Sequence, residues 1–290
     1  MSELLTATVI AGQLAKEPAP ARPVPWWSLT KPALAAAALV LVAEGRLALD
    51  ALLAMRPFTL RQLLQHTAGV PDYGGLVTYQ NAVARKAKPW SEGELLQRVA
   101  SNKLLFQPGE GWAYSNVGYL FVRRLIEEMT GEALGPALGR LVFGPLGLDG
   151  VRLATEPGDL AATAWGNPAG YHPGWVYHGL LLGTPGEAAL FLDRLLTEPL
   201  LPEALRAAMG ESRRVSNPDP GRPWRQAGYG LGLMINVTAT HGRCLGHTGQ
   251  GPGSVAAAYH FPELDPPRTV AAFAPVQDQA VVERAVLAVP

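Results

Sequence analysis

Residues 26–45 read Trp-Trp-Ser-Leu-Thr-Lys-Pro-Ala-Leu-Ala-Ala-Ala-Ala-Leu-Val-Leu-Val-Ala-Glu-Gly, a loop running into a helix that is apolar on every side. A proline-rich passage, residues 18–25, leads into it, and Glu44-Gly45 supplies the stop. A helix without a polar face belongs inside a core. Its Ala/Leu/Val run, 33–43, is too short to cross a bilayer, which takes about 20 apolar residues. At the start, Ser28-Leu29-Thr30-Lys31 sets a hydroxyl and an amine three positions apart, about 60° apart on one helical face. A desolvated lysine can hold the neutral amine that takes a proton from serine, and the free N–H groups of a helix start can meet a developing oxyanion. The chain has 5 lysines against 19 arginines, and arginine could not lose its proton at this place. Pro32 disfavours helical geometry at Lys31, although the first turn tolerates proline best.

Outward from this stretch, helical patterns occupy residues 59–66, 91–101, 117–129 with Gly131 as a stop, and 184–196. The last opens on Thr184, Pro185 and Glu187, a capping signal. After about residue 228 the character changes to short β-rich runs at 230–237, 243–247, 254–261 and 269–274, separated by turn chemistry. Consecutive strands with short links imply an antiparallel sheet. Thr6, Ala7, Thr8, Val9 and Ile10 alternate mildly and read as a lone first strand joining that sheet, and 277–288 as a closing helix. The fold class is α+β, an antiparallel sheet flanked by helices plus a mainly helical region. Residues 1–290 read as one domain, with the sheet part at about 1–50 and 228–290 and the helical part at about 51–227.

Composition narrows the function. The 290 residues are 48% hydrophobic and 17% charged, which excludes a disordered chain. Lysine plus arginine, 24, cancels aspartate plus glutamate, 24, so no basic excess exists for nucleic acid or an anionic membrane. The single cysteine, Cys244, cannot make an internal disulfide or a thiolate zinc cluster and reads as a small core residue. The apolar N-terminal stretch carries only Glu3 before Lys16 and lacks the positive lead of a secretion signal, so a cytoplasmic location is expected.

Two further triplets carry chemistry. Tyr114-Ser115-Asn116 lies where a Gly-rich loop meets a helix. The phenol there could relay protons and the amide could orient a carbonyl or the lysine; equally, Asn116 could be a helix cap and Tyr114 a half-buried aromatic. His247-Thr248-Gly249 ends a predicted strand, with Gln250 behind it. A strand-terminal glycine lets substrate lie along the edge, and the Gln250 N–H could be an oxyanion donor beside that of Ser28; the alternative is a hairpin turn with an incidental histidine.

In this order and spacing, Ser-Leu-Thr-Lys-Pro, Tyr-Ser-Asn and His-Thr-Gly resemble the three motifs of the serine β-lactamase and penicillin-binding superfamily. The branch resembled is that of class C β-lactamases, DD-carboxypeptidases, D-aminopeptidases and family VIII carboxylesterases. The stretches 60–73, 106–109 and 118–131 are also similar to that branch, and the likeness covers about residues 26–262.

The resemblance implies a β-lactamase/transpeptidase-like fold. It casts Ser28 as acyl-accepting nucleophile, Lys31 as its base and Tyr114 as proton relay, with Asn116 positioning Lys31 or substrate. It sets His247 and Thr248, with Gly249 and Gln250, along the edge facing the substrate. It implies no metal and no organic cofactor, and a small ester or amide as partner. Three departures stand out. His247 replaces the usual lysine, which makes the positive charge for a β-lactam carboxylate weak or pH-dependent. Only 27 residues precede Ser28, where relatives have two strands, so a sheet edge is expected to be missing or filled by a partner chain. The absence of an export signal speaks against a cell-wall peptidase. The leading expectation is a carboxylesterase-like serine hydrolase. A DD-peptidase or weak β-lactamase comes second, and the rival is a catalytically silent binding or scaffolding homologue. His66 reads as structural, His172, His178, His241 and His260 show no ligand spacing, and the loop between Trp165 and Trp175 is the expected pocket lining.

Overall fold

The structure is a computed structural model and describes residues 4–167, 169–215 and 221–288. Its strands are β1 (Leu5–Ile10), β2 (Gln13–Lys16), β3 (Val24–Pro25), β4 (Arg152–Ala154), β5 (Leu180–Gly183), β6 (Arg213–Arg214), β7 (Gln226–Tyr229), β8 (Met234–Val237), β9 (Arg243–Gly251), β10 (Ser254–Phe261) and β11 (Arg268–Ala274). Eight of them form an antiparallel sheet in the order β2-β1-β11-β10-β9-β8-β7-β6, and β3-β5-β4 form a small second sheet. Along β10 and β11 the side chains alternate. Ala256, Ala258, Ala271 and Phe273 join the core shared with the helical region, while Val255, Ala257, Val270 and Ala272 join a core under the C-terminal helix. Covering both faces is why β10 is buried at every position and reads as one apolar run.

The helices are α1 (Thr30–Ala43), α2 (Leu60–Leu64), α3 (Val77–Ala84), α4 (Glu92–Arg98), α5 (Asn116–Thr130), α6 (Leu134–Leu138), α7 (Pro157–Ala161), α8 (Pro185–Thr197), α9 (Glu203–Met209) and α10 (Gln279–Leu287). Eleven residues of α1 are buried, as an all-round apolar helix requires. It packs on α5 on one side and reaches β9 on the other, while α8 lies across β1, β10 and β11 and α10 covers the opposite face. Pro32 falls in the first turn of α1, where the missing N–H would have had no intrahelical partner. The caps follow the sequence. Thr184 and Glu187 close a capping box on α8, Ser91 caps α4, and α5 stops at Gly131 in the left-handed region.

Three expectations are corrected. The N-terminus supplies a hairpin rather than one strand, so β1 and β2 occupy the sheet edge that was expected to be missing or filled by a partner chain. Ala11 and Gly12, both at positive φ, make the tight turn, and exposed Gln13–Lys16 has no burial alternation to betray a strand. The run at 230–237 is a strand only from Met234. Gly230 turns against the Met209 carbonyl, and Leu231 and Leu233 dive into the main core, while β7 lies upstream. His247-Thr248-Gly249 sits inside β9, because pairing with β10 continues to Gly251↔Ser254. Among the described residues no helix is long and apolar enough to cross a membrane.

Candidate active site

Ser28 lies in a single 3-10 turn, Trp27–Leu29, that feeds α1. Trp27 holds φ at +48°, a left-handed conformation that costs a side-chain-bearing residue about 1–3 kcal/mol. Tertiary contacts hold it there: the Trp27 indole donates to Ser254 Oγ at 2.9 Å, and the chain just before it bonds to β5, Trp26 N to Leu181 O at 2.9 Å. Gly249 and Gly251 of β9 let this turn approach. A Cβ at Gly249 would sit 2.8 Å from the Ser28 nitrogen, and one at Gly251 would enter the Trp27 ring. The turn that carries Ser28 and the β9 backbone at Gly249 and Gly251 therefore lie at a separation that only glycine permits.

One turn on, Lys31 is fully buried and its amine has three partners: Ser28 Oγ at 3.1 Å, Asn116 Oδ1 at 2.8 Å and His178 Nε2 at 3.2 Å. Desolvation lowers its pKa to about 7, against the opposing pull of the Asp72 carboxylate. The Tyr114 ring lies 4.9 Å below the amine, and the Ser28 hydroxyl lies near enough to its phenol to counter part of the effect of burial on that phenol. Burial pushes that phenol well above its ordinary value, so it keeps its proton at neutral pH. Serine, lysine and tyrosine thus converge on one point, with lysine the member that titrates near neutrality.

Asn116 is the first residue of α5 rather than its cap. Ser115 takes the cap, its Oγ accepting from Gly118 N at 2.9 Å, which frees the Asn116 side chain. Asp72 sets the amide's orientation: Asn116 N and Nδ2 donate to its two oxygens at 2.7 and 3.2 Å, so Oδ1 turns to Lys31. His66 braces the same loop, accepting from Ser115 N at 3.1 Å through Nδ1 and packing its ring 4.3 Å from that of Tyr114. This is the structural part that the sequence suggested for it.

The third motif is placed differently from expectation. His247 is completely buried, its Nδ1 donating to the Thr248 carbonyl at 2.7 Å and its Nε2 accepting from the Tyr229 hydroxyl at 2.8 Å. Burial, then the Lys31 charge, lowers its pKa to about 3, so the ring is neutral, and the expected pH-dependent cation is absent. Thr248 points to the opposite face of β9, where its hydroxyl donates to buried Glu283 at 2.6 Å. Neither side chain lines the cavity that holds Ser28. Gly249 and Gln250 do adjoin it, Gly249 by its backbone and Gln250 as lining, with the Gln250 amide donating to Gln277 O at 2.7 Å.

That cavity, about 180 Å³, is walled by Trp27, Tyr73, Tyr79, Tyr171, Val176 and His178, and Ser28, Asn116 and Gln250 add further polar groups to it. Among its described lining residues none bears a formal charge. The loop expected to line it contributes Tyr171 but not its tryptophans: Trp175 is buried against Tyr79 and Trp90 and donates to Ala87 O at 3.1 Å. Sequence reading missed three participants. Tyr73 and Asp72 were visible as part of the family-like stretch 60–73 without a role, and His178 was dismissed for want of ligand spacing. No three His, Cys, Asp or Glu among the described residues form a metal-binding group. Cys244 is buried, and burial drives its thiol up to about 12.

The chain is similar to known proteins in sequence and in fold. The Beta-lactamase family model matches residues 13–277. The D-aminopeptidase of Cereibacter sphaeroides is 29% identical over 208 residues, 70% of this chain and 39% of that protein. Esterase EstB of Burkholderia gladioli is 28% identical over 261 residues, covering 72% of this chain and 65% of the esterase. The chain thus spans about two fifths of the D-aminopeptidases it matches. In three dimensions the D-amino acid amidase of Ochrobactrum anthropi SV3 superposes with TM-score 0.81 at 20% identity, over 99% of this chain and 95% of that one. The D-stereospecific amidohydrolase of a Streptomyces species gives 0.78 at 23%, over 98% and 93%.

Proposed function

This chain belongs to the Beta-lactamase family, and from that premise we propose that it is a serine hydrolase that cleaves small, uncharged esters or amides through an acyl-enzyme on Ser28. The observation that carries the reading is the Lys31 amine, fully buried and with its pKa lowered to about 7, 3.1 Å from Ser28 Oγ. The Ser28 proton passes to Lys31 Nζ as Oγ bonds the acyl carbon and the carbonyl π pair moves onto oxygen. The N–H groups of Ser28 and Gln250 are the candidate donors to that oxyanion. On collapse the alcohol or amine leaves with a proton relayed from the Lys31 ammonium by Tyr114. Water attacks the Ser28 ester along the same proton route reversed, and the site returns to its starting protonation.

The choice of uncharged substrates rests on the cavity wall. His247 is neutral and turned away, Thr248 is engaged by Glu283, and Asp72 is occupied by Asn116, so the described lining offers no cation for a carboxylate and no free anion for an ammonium. The test is a panel of p-nitrophenyl acetate and butyrate, D-alanine p-nitroanilide, D-phenylalanine amide and nitrocefin, run with wild type, Ser28→Ala and Lys31→Ala. Ester turnover abolished in both variants is the expected result. Equal rates in wild type and Ser28→Ala would discard the proposal, and nitrocefin or D-anilide as best substrate would move it to the peptidase reading. The β1–β2 hairpin at the sheet edge speaks against a homologue silenced by a missing strand.

A further inference from the structure

Lys31 has three hydrogen-bonding neighbours, and counting hydrogens assigns a part to the one that the sequence left idle. A neutral amine offers two N–H donors and one lone pair. Asn116 Oδ1 can only accept, because Asp72 fixes that amide with its Nδ2 turned away. The lone pair therefore faces either Ser28 or His178, and His178 decides which. If Nε2 accepts, both N–H bonds are spent on Asn116 and His178 and the lone pair lies on the Ser28 hydroxyl. If Nε2 carried hydrogen, it would take the lone pair, and Lys31 would donate to serine instead of accepting its proton. After proton transfer the ammonium has three donors, which again needs Nε2 as acceptor. Only the Nδ1–H tautomer fits both stages, and it leaves the Nδ1–H buried without an acceptor among the described residues, a cost that the bond from Lys31 to Nε2 must offset.

Resting on the acyl-enzyme reading above, we propose that His178 is a positioning residue: its Nε2 takes one N–H of Lys31 and so keeps the amine lone pair on the Ser28 hydroxyl. The fold delivers it. Backbone pairing of β3 with β5, Val24↔Gly183 and Pro25↔Leu182, ties the segment before Ser28 to the segment after His178. Leu181 N donates to Thr30 Oγ1 at 3.1 Å, locking the start of α1 to the same strand. The ring lines the Ser28 cavity, and it is held well below the ordinary imidazole range by burial, then by Lys31, His247, Arg123 and His66. It stays an acceptor throughout the working range and does not itself take the proton.

The experiment compares His178→Gln, whose amide oxygen can reach the Nε2 position, with His178→Asn, which is too short, and His178→Leu, which has no acceptor. Ester kcat and KM are measured from pH 5.5 to 9 beside Ser28→Ala. The other groups facing the amine, Asp72, Tyr114, Tyr119, His66 and His247, and Arg123 beside His178, are the same in all variants. For Asn and Leu the expected loss is about 10- to 100-fold in kcat with KM within about twofold. In Leu the acid limb moves to lower pH, because the ammonium has lost an acceptor. Gln holds kcat within about fivefold of wild type. Wild-type kcat and an unmoved acid limb in Leu and Asn would overturn the proposal, as would an equal fall in Gln and Asn. If Leu fails to fold by circular dichroism, the contrast between Gln and Asn decides. Turnover that survives Ser28→Ala is a separate failure, that of the acyl-enzyme reading itself.

Discussion

A buried amine that titrates near neutrality must leave a mark on stability. Lys31 loses its proton at about 7 in the folded chain, against 10.5 when unfolded. The gap corresponds to about 5 kcal/mol. The sign follows from proton counting. Between pH 7 and 10.5 the unfolded chain binds a proton that the native state has released, so stability rises with pH through that window; below 7 the full cost is present. Integrating from pH 7 to 9 gives a recovery of about 2 kcal/mol. Lys31→Met keeps a side chain of similar length but has nothing to titrate, so it lacks this rise, while titrations common to both proteins cancel in the difference. Urea unfolding followed by tryptophan fluorescence, at pH 7 and pH 9 for both proteins, reads the effect. At a slope of about 3 kcal/mol/M, the wild-type midpoint should gain about 0.7 M on that of the variant. If the two midpoints move in parallel, the amine is charged or hydrated in the folded state, and its assignment as a resting base is refuted.

Three shorter predictions follow from the same geometry. Ester kcat/KM should rise with pH around a midpoint near 7, because the base works only when neutral; a profile flat from pH 5 to 9 would contradict it. Gly249→Ala sets a methyl 2.8 Å from the Ser28 nitrogen and should cost about 100- to 1000-fold in kcat, with the thermal transition as a check on folding. A variant as active as wild type would show that β9 does not frame the oxyanion. Asp72→Asn removes both the anchor of the Asn116 amide and the charge that favours ammonium, so the acid limb should move to lower pH while kcat drops; an upward shift would count against the electrostatics.

How far the sequence could be read depended on whether a feature was local. The cap of α8, the Gly131 stop and the all-apolar α1 are properties of a few neighbouring residues, and they were legible. β10 declared itself because both its faces are covered. β2 did not, since four exposed residues have no pattern to show, and neither did the two-residue pairing that makes β3. Ser28 and Lys31 could be matched because one helical turn joins them. His178 is 147 positions from Lys31, and it is the β3–β5 pairing, with the bond from Leu181 N to Thr30 Oγ1, that makes them neighbours.

From its order of residues alone the chain determined an α+β fold with a buried helix that has a serine and a lysine three positions apart at its start, because helical period and apolar patterning are set over short distances. Tertiary structure alone decided which groups became chemically unusual. Lys31 titrates near pH 7 because the folded core removes its water, and His247 is an uncharged, inward-facing ring because β9 continues beyond it and Tyr229 closes over it. Burial and the company of distant residues set protonation, and neither is written in any local stretch of sequence.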